Sequence, residues 1–172
     1  MKTGTKLVII SVAVLCAAVA VFAFLNRENI AAKKEAQEGG FFYFYAGDEE
    51  HTVTMEDIEA LSPSVIKANY KKNGKESETR YYSGVSLRSV AESLGIDVSG
   101  YSSAAFSAAD GYASALTITE AMDGENCCIV IAMGGEPLGT KEGGGSGPFM
   151  MILPNDQFSQ RWCKFLIEVR LK

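Results

Sequence analysis

Residues 127–154, CCIVIAMGGEPLGTKEGGGSGPFMMILP, decide the fold class. Two apolar runs, CCIVIAM and FMMILP, flank a loop in which glycine takes seven of the fifteen positions 134–148. A glycine loop that opens onto a helix cradles phosphate in an α/β domain, whereas one that joins two strands belongs to a mixed fold. The phosphate loop needs Gly-x4-Gly-Lys-Ser/Thr, so that the lysine reaches the ligand at a helix start. Here Gly134 and Gly139 have that spacing, but Thr140-Lys141 reverse the order, and Glu142 leads into Gly143, Gly144, Gly145, Ser146, Gly147 and Pro148. No helix N-terminus follows to receive an anion, and G-x-G-x-x-G is absent. The apolar runs therefore read as two core strands joined by a flexible loop.

Moving toward the N-terminus, the same mixture continues. LRSVAESL carries Leu87, Val90, Ala91 and Leu94 at helical spacing and ends at Gly95, a C-cap residue. SVIKANYKK and ESETRYYSG flank Asn73 and Gly74, the signature of a type I′ hairpin. SSAAFSA and YASALTI flank Asp110 and Gly111 as a second strand pair. Thr54 with Asp57 and Thr117 with Glu120 have capping-box spacing for two short helices, and Pro63 stops the first. HTVT is a further strand, and after the polar turn PNDQFSQ the segment CKFLIEVRLK reads as the last. Strands and short helices alternate irregularly, which predicts an α+β domain over 51–172.

Residues 7–25, LVIISVAVLCAAVAVFAFL, hold 19 positions without a charge, nearly the ~30 Å of a bilayer core. Lys2 and Lys6 in 1–6 would keep the N-terminus cytoplasmic, placing the rest outside the cell membrane as a single-pass protein. A cleaved signal peptide competes with this reading, because Val21, Phe22 and Ala23 offer a cut site, but the run exceeds the usual apolar core of about 7–15 residues. Cys16 is no lipidation site, since Val14 and Leu15 stand where small residues are needed. Residues 26–50 form a polar stalk ending in FFYFYAG, either a strand buried on both faces or an aromatic belt at lipid headgroups.

The chain has 16 basic and 21 acidic residues; without Lys2 and Lys6 the balance is 14 against 21, a charge of −7. Such a domain has no attraction for nucleic acid or anionic lipid. His51 is the only histidine and no G-x-S-x-G accompanies a serine, so hydrolytic triads have no basis. Neighbouring Cys127 and Cys128 lack the spacing of a zinc-chelating pair. Either one is geometrically able to bridge Cys163, and buried inert thiols are the simpler reading.

From about Val53 to Leu171 the chain resembles the sulfite oxidase-type oxidoreductase molybdopterin-binding domain in a short, bacterial, membrane-anchored version. The matching pieces come in the family's order: YYSGVSLRSVAESLGI, FSAADGYASALTITEAM, IAMGGEPLGTKEGGGSGPFMMILP and WCKFLIEV. The resemblance implies a mixed-sheet fold of that type and a cofactor cleft bordered by Asp110, Gly111, Tyr112, Pro137, Leu138, Gly145, Gly147, Pro148 and Lys164. It implies molybdopterin as cofactor and an envelope redox protein or small ligand as partner. The family ligates molybdenum through a cysteine upstream of Gly-Val-x-Leu, yet SVIKANYKKNGKESETRYYS contains none. The family's arginine after Gly-x-Pro falls on Met150. No catalytic or metal residue is carried over, and three readings stay open: a ligand- or partner-binding module without a competent molybdenum centre, a molybdopterin-dependent oxidoreductase of an envelope redox system, or a purely structural subunit of an envelope complex.

Overall fold

The computed structural model describes residues 3–71, 74 and 76–172, with side chains for all of these but 3–7, 22–30 and 32. It comprises two compact units, one ending at Glu35 and the other running Ala36–Lys172. Helix α1 spans Thr3–Gly39. Within the first unit, Val8, Ile10, Leu15 and Val19 are each more than 60% exposed (62%, 62%, 66% and 62%). Among the described residues no helix is long and apolar enough to cross a membrane. The side chains of Leu7 and of 22–25 in the expected transmembrane segment lie outside the described residues, so this helix is not supported as a span.

The second unit runs β1 (Phe41–Ala46), β2 (Glu49–Thr54), α2 (Met55–Ala60), β3 (Ser64–Tyr70), β4 (Glu78–Ser86), α3 (Leu87–Ser93), β5 (Ser103–Ala108), β6 (Ala113–Thr117), α4 (Ile118–Ala121), β7 (Cys128–Met133), β8 (Glu136–Pro137), β9 (Met150–Ile152) and β10 (Leu166–Leu171). One sheet has the order β2-β1-β10-β5-β6; the other has β3-β4-β7-β8, with β9 also paired to β7. β1 lies parallel to β10 and the remaining pairs are antiparallel, so the α+β expectation with mixed sheets holds.

Local chemistry explains the short helices. Thr54 N–H donates to Asp57 Oδ2 at 2.8 Å and Asp57 N–H returns to Thr54 Oγ1 at 3.3 Å, so two N-terminal donors of α2 are satisfied reciprocally. Thr117 and Glu120 repeat the box at α4, with bonds of 3.1 and 3.2 Å. Ser86 caps α3 by accepting from Ser89 N–H at 3.0 Å, and Leu87, Val90 and Ala91 are the buried residues of that helix. Gly95 follows it with φ of +71°, the left-handed conformation that a residue without Cβ adopts freely.

Two sequence readings change. The aromatic strand grouped with the stalk is built into the first sheet, because the second unit begins at Ala36 and β1 sits between β2 and β10. It is buried on one face only: Phe42, Phe44 and Ala46 are in the core, while Phe41, Tyr43 and Tyr45 are half-buried. The Arg170 guanidinium lies 3.7 Å from the Tyr45 ring on that second face. The last strand begins at Leu166 rather than Cys163, since Phe165 has φ of +53° and the register slips between Leu166 and Glu168. The expected hairpin of β3 and β4 forms with Tyr70 opposite Glu78; Asn73 of its turn lies outside the described residues. Both sheets feed one core, in which Phe42 meets Phe149 edge to face at 5.1 Å.

Candidate functional site

Residues 163–165 form a hub to which the separate pieces are fastened. Cys163 and Met151 exchange backbone hydrogen bonds of 2.9 Å in each direction, which ties the hub to β9. Phe165 N–H donates to Ser146 O at 2.9 Å, and Phe165 O accepts from Ala109 N–H at 2.9 Å. The glycine-rich loop and the Asp110 turn are thus both held on the segment that carries Lys164. Phe165 supports these bonds from a left-handed backbone conformation that a bulky residue seldom adopts, a strain of roughly 1–2 kcal/mol that the surroundings must hold.

The turn is built from its own residues. Asp110 Oδ1 accepts from Tyr112 N–H at 3.0 Å, and Gly111 between them has φ of +89°. Ala108 N–H donates to Tyr112 O at 2.9 Å, closing the connection of β5 to β6. The Tyr112 hydroxyl then donates to Gln160 O at 2.6 Å, linking this turn to the polar segment before the hub.

The glycine-rich loop was expected to be flexible, and it is instead cross-braced by its own backbone. Ser146 N–H donates to Leu138 O at 2.9 Å, Gly147 N–H to Gly139 O at 2.8 Å and Gly145 N–H to Thr140 O at 2.9 Å. Such close approach demands glycine. A Cβ on Gly145 would strike Leu138 O and come within 2.6 Å of the Gly139 carbonyl carbon, and one on Gly147 would lie 2.6 Å from Leu138 Cβ. Asp110, Gly111, Tyr112, Gly145, Gly147 and Lys164 are therefore brought together around the hub. Pro137 is not: it is exposed in β8, paired with Ala132, and joins the loop only through the following Leu138.

A feature the sequence reading missed lies beside Lys164. Its ammonium stands 5.7 Å over the Tyr70 ring, the Arg80 guanidinium stacks 3.9 Å from the same ring, and Trp162 packs against it at 5.8 Å. Tyr82 closes the group, edge to face with Trp162 at 5.8 Å. Glu78 binds Arg80 at 2.7 Å and, as the largest influence, raises the pKa of its guanidinium. Lys71 and Lys141 rest over Phe158 and Phe165 at 5.0 and 6.0 Å. Four cations thus lie on aromatic faces in this part of the second unit. The end of β3, β4, the glycine-rich loop and the hub each supply one, so no local spacing announced the cluster.

Arg161 fastens the neighbouring segment. It grips Asp156 with Nε and Nη2 at 2.8 and 2.6 Å and reaches Glu120 at 3.1 Å, and these two carboxylates raise the guanidinium pKa. The cysteines of the second unit are free and buried. Burial pushes Cys128 up to about 11 and Cys163 up to about 12, the latter helped by the Asp110 carboxylate, and raises Cys127 well above its ordinary value. Met150, at the position where a charged contact was expected, is 2% exposed and paired with Val130. A separate open cavity of about 340 Å³ runs along 64–67, with Ser86, Glu125, Cys128 and Asn155 among its lining. Among the described residues, no group of three or more His, Cys, Asp or Glu is placed to hold a metal.

A family model described as oxidoreductase molybdopterin binding domain matches residues 47–172. The fold is similar to that in the crystal structure of the sulfane dehydrogenase SoxCD from Paracoccus pantotrophus, with a TM-score of 0.62 and 13% identity. The likeness covers 76% of this chain and 37% of that one, so the chain spans little more than a third of the length of the solved relative. No curated protein matches it.

Proposed function

Because the chain belongs to the oxidoreductase molybdopterin-binding domain family, we propose that it is a membrane-anchored, extracytoplasmic member that binds a small ligand or a partner protein without a competent molybdenum centre. The observation that carries this reading is the state of the thiols. Protein-bound molybdenum of this kind takes a soft thiolate ligand. Cys127, Cys128 and Cys163 are each at most 3% exposed, and burial raises the pKa of each thiol above its ordinary value. The segment 64–83 upstream of Gly84-Val85 has no cysteine, and buried Met150 replaces the charge that an anionic cofactor would meet. The residues present do not fit the family's cofactor.

What remains at the hub is a set of cations on aromatic faces beside a braced loop, suited to holding a ligand or a protein surface. The anchor is proposed at residues 7–25, where an uninterrupted charge-free run and the exposed side chains of Val8, Ile10, Leu15 and Val19 call for a hydrophobic surrounding. Family membership favours the rival reading, a molybdopterin-dependent oxidoreductase of an envelope redox system. Oxidising the purified full chain with acidic iodine and assaying for pterin fluorescence separates the two: the binding module releases none, and the oxidoreductase releases about one equivalent.

A further inference from the structure

β3 is the outer strand of its sheet: among the described residues it pairs with β4 alone. Serine 159 caps the far end of this edge, its N–H and hydroxyl donating to Lys71 O at 3.2 and 2.9 Å. Toward its start the strand lines the 340 Å³ cavity together with Ser86, Gly124, Glu125, Cys128, Pro154 and Asn155. Val65 is 73% exposed, more than any other large hydrophobic residue described. Unpaired edges of this sort are templates for strand addition, and a long exposed one is usually blunted.

Lys67 sits in the middle of the edge and is exposed. On an added strand a carboxylate set opposite it would form a favourable cross-strand pair, whereas a lysine or arginine there would repel it. Val65, Lys67 and Asn69 alternate onto one face of the strand, so a strand added to β3 meets them at every second residue. The sequence KANYKKNGK also concentrates four lysines in nine residues of a chain with net charge −5. We infer that the free edge of β3 is a docking site for an extended acidic segment of a partner polypeptide, which adds as a strand and sets an apolar residue against Val65 and a carboxylate against Lys67. This inference does not depend on what the cluster at Tyr70 and Lys164 holds.

The test is titration of the full chain, in detergent, with the dye-labelled peptide Val-Thr-Glu-Thr-Val-Thr-Glu-Thr, followed by fluorescence anisotropy and amide hydrogen exchange. We expect saturable binding that protects the amides of 64–69, weakens at least tenfold in Lys67→Glu, and returns when that variant is given the peptide with lysine in place of glutamate. Lys67 is exposed, so the variant folds; circular dichroism checks this. No saturable binding at millimolar peptide overturns the inference, as does binding indifferent to Lys67→Glu. Concentration-dependent self-association without peptide, lost in Lys67→Glu, overturns the partner segment in favour of a second copy's acidic edge at Glu49 and Glu50.

Discussion

Phe165 N–H donates to Ser146 O at 2.9 Å, and this bond fastens the glycine-rich loop to the segment that carries Lys164. The loop can reach Phe165 only because Gly145 and Gly147 pass within bonding distance of Leu138 and Gly139. Replacing Gly145 with alanine drives a Cβ into Leu138 O and should lower stability by about 1–3 kcal/mol. Gly143→Ala, whose new Cβ meets Thr140 at an ordinary 3.6 Å, should change stability by less than about 0.5 kcal/mol. Urea unfolding of the two variants side by side checks this, and equal losses would mean the loop is not braced as described.

The hydroxyl of Tyr112 tethers the Asp110 turn to Gln160 across 48 positions of sequence. Tyr112→Phe removes that one bond while keeping the ring, at a cost of about 0.5–1.5 kcal/mol. Amide exchange should quicken at residues 158–162 and at the turn, with the remainder of the sheets unaffected.

The pH dependence follows from the thiols. An unfolded cysteine releases its proton near 9, whereas Cys128 and Cys163 hold theirs up to about 11 and 12 in the fold. Between those values the native state binds more protons than the unfolded one. The contribution is fully present below pH 9 and is lost as pH rises toward 12, with a slope of up to ~1.4 kcal/mol per pH unit for each thiol. Unfolding free energies measured from pH 8 to 10.5 should fall, and Cys163→Ala should flatten the decline. Asp57 and Glu120 have the opposite sign: Thr54 and Arg161 hold their carboxyls below the usual range, so that stability is present above it and lost on acidification.

If residues 7–25 anchor the chain, the protein stays in membranes after a high-salt wash and keeps its full N-terminal mass. A soluble product beginning near Phe24 would show that the segment is a cleaved signal.

Local rules carried much of this fold. Thr54 with Asp57, Thr117 with Glu120, and the apolar stripe of Leu87, Val90 and Ala91 are interactions within one turn, and they appear where their spacing places them. The sheets were less legible, because the pairing of Tyr43 with Glu168 joins segments 125 residues apart and no local pattern encodes it. For the same reason β1 looked like an appendage of the stalk. At the site, the resemblance led to the Asp110 turn, Gly145, Gly147 and Lys164, which converge; it did not lead to the stack of Arg80 on Tyr70, which depends on strand register. Glycine content suggested mobility in the loop, whereas here the missing Cβ atoms permit close backbone hydrogen bonding.

The central claim is that this member of a molybdopterin-binding family does not hold the metal. Its most direct test is molybdenum analysis by plasma mass spectrometry of the full chain purified from molybdenum-replete cells that make the cofactor. Molybdenum is expected far below one atom per chain, unchanged in a triple Cys127→Ser, Cys128→Ser, Cys163→Ser variant. One atom per chain, retained through purification with its pterin, would contradict it.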